Sequence, residues 1–155
     1  MQAGWGMWDA NWGWSGALFV ITIAVHAVGV VAIARGLAWY HVKGWHALDA
    51  RRFTPTRSIA LIVIVAMCLS ALHAVESVIW AFAYVQLGAF SSPALALLYS
   101  VDSMTTRGSG SLPITPQWAM MGATEAGNGM LLFGISTAFL FALMHDLWRS
   151  HLLND

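Results

Sequence analysis

Three stretches of this chain are too long and too apolar to be covered by a water-soluble surface. They occupy residues 16–38, 58–88 and 117–147. Their cores read "GALFVITIAVHAVGVVAIA", "SIALIVIVAMCLSALHAVESVIWAFAYVQL" and "QWAMMGATEAGNGMLLFGISTAFLFALMHDL". A helix rises 1.5 Å per residue and crosses the hydrocarbon of a bilayer in about 20 residues. The first stretch just spans, and the other two must tilt or protrude. Composition agrees: 59% of the 155 residues are hydrophobic and 9% charged, where a soluble domain carries about 25% charged residues. The class is therefore an all-α integral membrane protein with three transmembrane helices.

Other bulk properties mainly exclude. The formal net charge is zero, so no basic surface invites nucleic acid. Cys68 is the only cysteine and cannot form an intrachain disulfide. Residues 1–15 hold no Lys or Arg, so the charged start of a signal peptide is missing. They read as an interfacial segment. No metal site or cofactor is expected, and no enzyme activity.

Between the second and third stretches lies a shorter piece, 92–104, within "SSPALALLYSVDS". Ser91 or Ser92 can cap a helix there, and Pro93 suits its first turn. It is too short to span. A half-length helix followed by glycine-rich chain predicts one re-entrant helix and loop. Non-helical backbone at membrane depth must be covered by protein or line a wet cavity. One chain offers three spanning helices for that, which predicts an oligomer around a shared axis.

Charge sets the expected orientation. Arg35, Lys43, Arg51, Arg52 and Arg57 fall in or beside the basic loop 39–57, and Arg149 opens the tail 148–155. The positive-inside rule makes both regions cytoplasmic. The N-terminus and the short helix then face outward. Trp5, Trp8, Trp12, Trp14, Trp39, Trp45, Trp118 and Trp148 cluster at the ends of the stretches, as interfacial belts do. Arg107 alone breaks the charge rule.

The stretch "LLYSVDSMTTRGSGSLPIT" resembles the pore region of the potassium-channel-like pore-loop superfamily, and the chain looks like small bacterial ion channel proteins. In that family a pore helix leads into a filter written T-T-V-G-Y-G-D. Thr105, Thr106, Gly108 and Gly110 match it, and Pro113 and Thr115 match the chain beyond. The second stretch resembles the outer helix, and the third the inner helix, with Gly127, Gly129 and Gly134 as hinge candidates. The resemblance covers residues 58–147. It implies a homotetramer in the bacterial inner membrane that passes monovalent ions among lipids, with the first helix an addition to the minimal pore. It further implies a filter over 105–111, formed by Thr105, Thr106, Arg107, Gly108, Ser109 and Gly110. There, backbone carbonyls replace the hydration shell of a cation.

Three positions depart from the family pattern: Arg107 stands for valine, Ser109 for tyrosine and Ser111 for aspartate. An arginine side chain keeps its charge in proteins. Pointing into the pore, four of them block cations and favour anions. Pointing backward, each needs an acid, and Asp102 lies five residues earlier on the pore helix. Glu76, Asp102 and Glu125 fall at matching depths in the outer half of the bilayer, with His73 one turn from Glu76. Asp102 is expected to pair Arg107, and Glu125, or Glu76 with His73, to complete the network that supports the filter. A weakly selective cation pore is the favoured function. The alternatives are an anion pore lined by Arg107, a non-conducting regulatory or scaffold subunit, a bis-His haem protein using the midplane residues His26 and His73, and a hydrolase using Ser109.

Overall fold

The computed structural model describes residues 3–47, 55–108, 112 and 114–152. The described residues form four α-helices: α1 (Ala3–Ala47), α2 (Pro55–Gln86), α3 (Pro93–Met104) and α4 (Ala119–Leu152), with a 3-10 turn, Pro116–Trp118, leading into α4. Helices α1, α2 and α4 are long and apolar enough to cross a membrane, over Asn11–Trp39, Thr56–Gln86 and Ala119–Arg149. The multi-pass membrane class is the one read from the three apolar stretches.

The boundaries differ most at α1. It starts within the expected interfacial segment and ends inside the expected basic loop. The reason is local. No proline precedes Pro55, so nothing between the apolar stretch and residue 47 compels the helix to stop. At 45 residues it is about 68 Å long, more than twice the hydrocarbon thickness of about 30 Å. Residues 48–54 lie outside the described set.

Helix α3 packs against both α2 and α4, whereas α1 meets α2 and α4 but not α3 among the described residues. Ser92 occupies the N-cap position of α3, yet its side chain makes no capping bond; its carbonyl accepts from Ala96 N at 3.0 Å, and Pro93 fills the first turn. The core joins Trp80 and Tyr84 of α2, Ala96, Tyr99 and Met104 of α3, and Met121 and Leu132 of α4. Tyr84 and Tyr99 stack edge to face at 5.2 Å, and Phe90 lies 5.1 Å from Tyr99. Such aromatic pairs contribute about 0.5–1.5 kcal/mol beyond their burial. Val63, Ile64, Met67, Phe82 and Phe141 are exposed on the outside of the bundle, which is where lipid chains solvate them.

Helix α4 is continuous through Gly127, Gly129 and Gly134. The hinge expectation separates these three. Side chains at Gly127 and Gly134 would meet nothing within 4 Å. A Cβ at Gly129 would lie 2.3 Å from the carbonyl oxygen of Met104. Gly129 is a contact residue that lets the end of α3 touch the α4 backbone.

Candidate functional site

The site is built where α3 ends. Arg107 N donates to Asp102 O at 3.0 Å, and Thr106 N donates to Ser103 O at 2.9 Å. This pair of bonds is the Schellman arrangement, which requires a left-handed residue after the last turn. Thr106 takes that position with φ 57°. Glycine normally does so, and a β-branched residue there stores about 1–3 kcal/mol of strain. Gly108 follows with φ +80°, so two left-handed residues flank Arg107. Thr105 turns its hydroxyl back to Val101 O at 2.7 Å. Ser109, Gly110 and Ser111 lie outside the described residues, and so does the alternative hydrolase centre at Ser109.

Arg107 Nη2 donates to Asp102 Oδ2 at 3.1 Å. The carboxylate is 4% exposed and the guanidinium side chain 69% exposed. The arginine thus folds back on its own helix, whose C-terminal end also favours a cation. Beside it, an open cleft of about 370 Å³ runs between the loop and the first turns of α4, lined by Tyr99, Ser103, Thr106, Gly108, Gly122 and Ala126 among others. The Tyr99 hydroxyl sits where a Cβ on Gly122 would be, so that glycine admits the tyrosine.

The four expected network residues do not form one network. Asp102 pairs with Arg107, as expected, and among the described residues no hydrogen bond joins either of them to Glu76, His73 or Glu125. Glu125, wholly buried, accepts from Tyr84 Oη at 2.7 Å and meets Ser100 Oγ. Ser100 Oγ also lies 2.9 Å from Ser77 O. This second group ties α2, α3 and α4 together just behind the core aromatics. The physical reason for the split is direction: Glu125 faces α2 and α3 at the height of Ser100, whereas Asp102 turns toward the loop.

The third group is centred on Glu76 and includes a helix that the network expectation did not use. Glu76 Oε1 is 2.8 Å from His26 Nδ1 of α1, and Oε2 is 3.0 Å from His73 Nδ1 one turn earlier on α2. Beyond the rings, Ser136 Oγ of α4 lies 3.1 Å from His73 Nε2 and 3.3 Å from His26 Nε2. Two imidazoles, a carboxylate and a hydroxyl from three helices close a ring. His73 also stacks on Phe133 at 4.2 Å. The two imidazole centroids are 5.2 Å apart and both Nε2 atoms converge on one serine oxygen, so no slot for a porphyrin opens between them. One turn before His26 on α1, Asn128 Nδ2 donates to Thr22 Oγ1 at 2.5 Å, and nearer the start of α1 the Asn11 amide donates to Gln117 O.

Sequence reasoning missed Ser136, Tyr84, Asn128 and Thr22, and the contact of Ser100 with Glu125. Single hydroxyls and amides inside apolar helices carry no periodic signal. His26 was legible as a midplane residue, but its partner was not. Comparison with protein-family models, with curated proteins and with solved structures yields no match.

Proposed function

We propose that this chain is one subunit of a potassium-channel-like tetrameric pore, with α2, α3 and α4 as outer, pore and inner helices and with a degenerate filter that passes cations weakly selectively. The observation that carries the reading is the depth at which α3 stops. The Met104 carbonyl abuts Gly129, and Gly129 is ten residues after Ala119, the first residue of α4. That is about 15 Å along the helix, half of the hydrocarbon thickness of about 30 Å. The chain then turns and returns to the start of α4. A helix that enters half-way and is followed by left-handed residues at Thr106 and Gly108 fits a pore loop, because alternating hands turn successive carbonyls toward one side.

Two further features support it. Arg107 is drawn back to Asp102, which leaves a path for cations rather than a ring of four free guanidinium groups. The outer face of α3 is apolar and uncovered, with Leu95, Leu97, Leu98 and Val101 exposed. Copies arranged about an axis would cover that face and the loop, as backbone at membrane depth requires. The N-terminus lies outside and the basic 35–57 region inside, following the cation distribution.

The test is ion flux into liposomes, potassium against chloride, for the unmodified protein and Arg107→Val, with native mass spectrometry of the same preparation. Four chains per particle, potassium flux and faster flux in Arg107→Val are expected. Chloride flux that vanishes in Arg107→Val would replace the cation pore by an anion pore. A tetramer in which neither form conducts would reduce the chain to a channel-like scaffold. A monomer or dimer would overturn the pore.

A further inference from the structure

We propose that His26, His73 and Glu76 form a buried binding site for one divalent first-row metal ion, with zinc the best match. The pore reading does not use this group, and the two stand independently. The donor atoms of the three side chains lie within 4.8 Å of one another. Zinc bonds of about 2.0–2.2 Å to nitrogen and oxygen place neighbouring donors about 3.3 Å apart. The Nδ1 atoms of His26 and His73 already lie 2.8 and 3.0 Å from the two Glu76 oxygens. These nitrogen–oxygen separations are within about half an ångström of the spacing a metal requires.

A second observation points to a ligand here. His73 Nδ1 and Glu76 Oε2 are buried and 3.0 Å apart, yet neither makes a hydrogen bond among the described residues. Leaving such groups unsatisfied costs about 1–3 kcal/mol each. A metal ion between Nδ1 of both rings and the carboxylate satisfies both at once.

Ser136 supplies the outer support that metal-binding histidines need. A ligating imidazole hands its other N–H to an acceptor, which fixes its tautomer and orientation. Ser136 Oγ stands at 3.1 and 3.3 Å from the two Nε2 atoms. A hydroxyl oxygen has two lone pairs, so one serine accepts both N–H groups and leaves both Nδ1 atoms free to ligate.

The donor set also selects the metal. Two imidazoles and one carboxylate suit zinc and its neighbours, whereas calcium and magnesium prefer oxygen alone. Glu76 offsets half of the charge of a dication, and the fourth position is left for water, hydroxide or a halide. Because the ligands come from α1 and α2, with Ser136 on α4, the ion clasps α1 to the other two spanning helices.

The experiment uses tag-free protein in detergent, stripped with chelator, equilibrated with zinc chloride and desalted, with metal per chain read by mass spectrometry. One zinc per chain is expected, and cobalt in its place should give the intense visible bands of a four-coordinate ion. The double variant His26→Gln with Glu76→Gln should lose the metal, and Ser136→Ala should keep the stoichiometry with affinity weakened about 10–100-fold. Folded unmodified protein without retained metal overturns the proposal, as does retention by the folded double variant. Should the double variant not fold, the cobalt spectrum of the unmodified protein decides: the weak bands of a six-coordinate ion overturn the site.

Discussion

Gly129 of α4 presses against the carbonyl of Met104, the last residue of α3. A Cβ on Gly129 would lie 2.3 Å from that oxygen. The neighbour is backbone and cannot swing aside like a side-chain tip. Gly129→Ala is therefore expected to displace the end of α3 and to lower stability by about 1–3 kcal/mol, the range of an overpacked core. Gly134→Ala is the matched control. Its Cβ meets nothing within 4 Å, and alanine is favoured in a helix by about 1 kcal/mol over glycine, so stability should hold or rise. Denaturation in detergent, followed by helicity, compares the two.

The ion pair between Asp102 and Arg107 has one buried and one exposed member. Exposed pairs couple by about 0.2–1 kcal/mol. A double-mutant cycle of Asp102→Asn and Arg107→Gln should give a coupling near the upper end of that range, because the carboxylate is dry. Additive effects of the two substitutions would mean that the contact carries no net energy.

Tyr84 donates to Glu125 inside the protein, and the phenyl ring keeps its packing against Tyr99 when the hydroxyl is removed. Tyr84→Phe should cost about 1 kcal/mol, the net worth of a buried hydrogen bond. Glu125→Leu should cost more. It orphans the Tyr84 hydroxyl, whereas Ser100 retains Ser77 O as an acceptor. Thermal unfolding of the two variants, ranked against the unmodified protein, checks the order.

Asn128 and Thr22 join α4 to α1. Interhelical hydrogen bonds in membranes average about 0.6 kcal/mol. Thr22→Val keeps the shape of the side chain and removes the acceptor, so a loss of about that size is expected in an unfolding titration. A loss several times larger would indicate that α1 depends on this one contact.

Much of the architecture was legible in the chain. Apolar length alone announced three spanning helices, since few charges interrupt them and no other structure satisfies their backbone in lipid. Pro93 and the short apolar run marked α3 to within a residue. The ends of α1 were not legible, because tryptophans and scattered cations mark an interface without stopping a helix. Two close pairs within single segments, Asp102 with Arg107 and His73 with Glu76, were legible from spacing, but the contacts of Glu76 and Glu125 with other helices were not. Depth follows from counting along a helix. Which way a side chain faces around that helix depends on where its neighbours stand.

The sequence by itself determined that this is a membrane protein with three spanning helices, a half-length fourth, and an arginine in a glycine-rich loop. Its backbone must hydrogen-bond within helices wherever water is absent, and that constraint is local enough to be read from composition and length. Only the tertiary structure decided the partners that lie far apart in the chain. It placed Glu125 between Tyr84 and Ser100, and His26 of α1 on Glu76 of α2. Residues 26 and 76 are separated by about half of α1, a connection and about two-thirds of α2. Their meeting depends on how α1 packs across α2 and α4, a relation set by the shapes of whole helix faces rather than by either residue's neighbours in the chain.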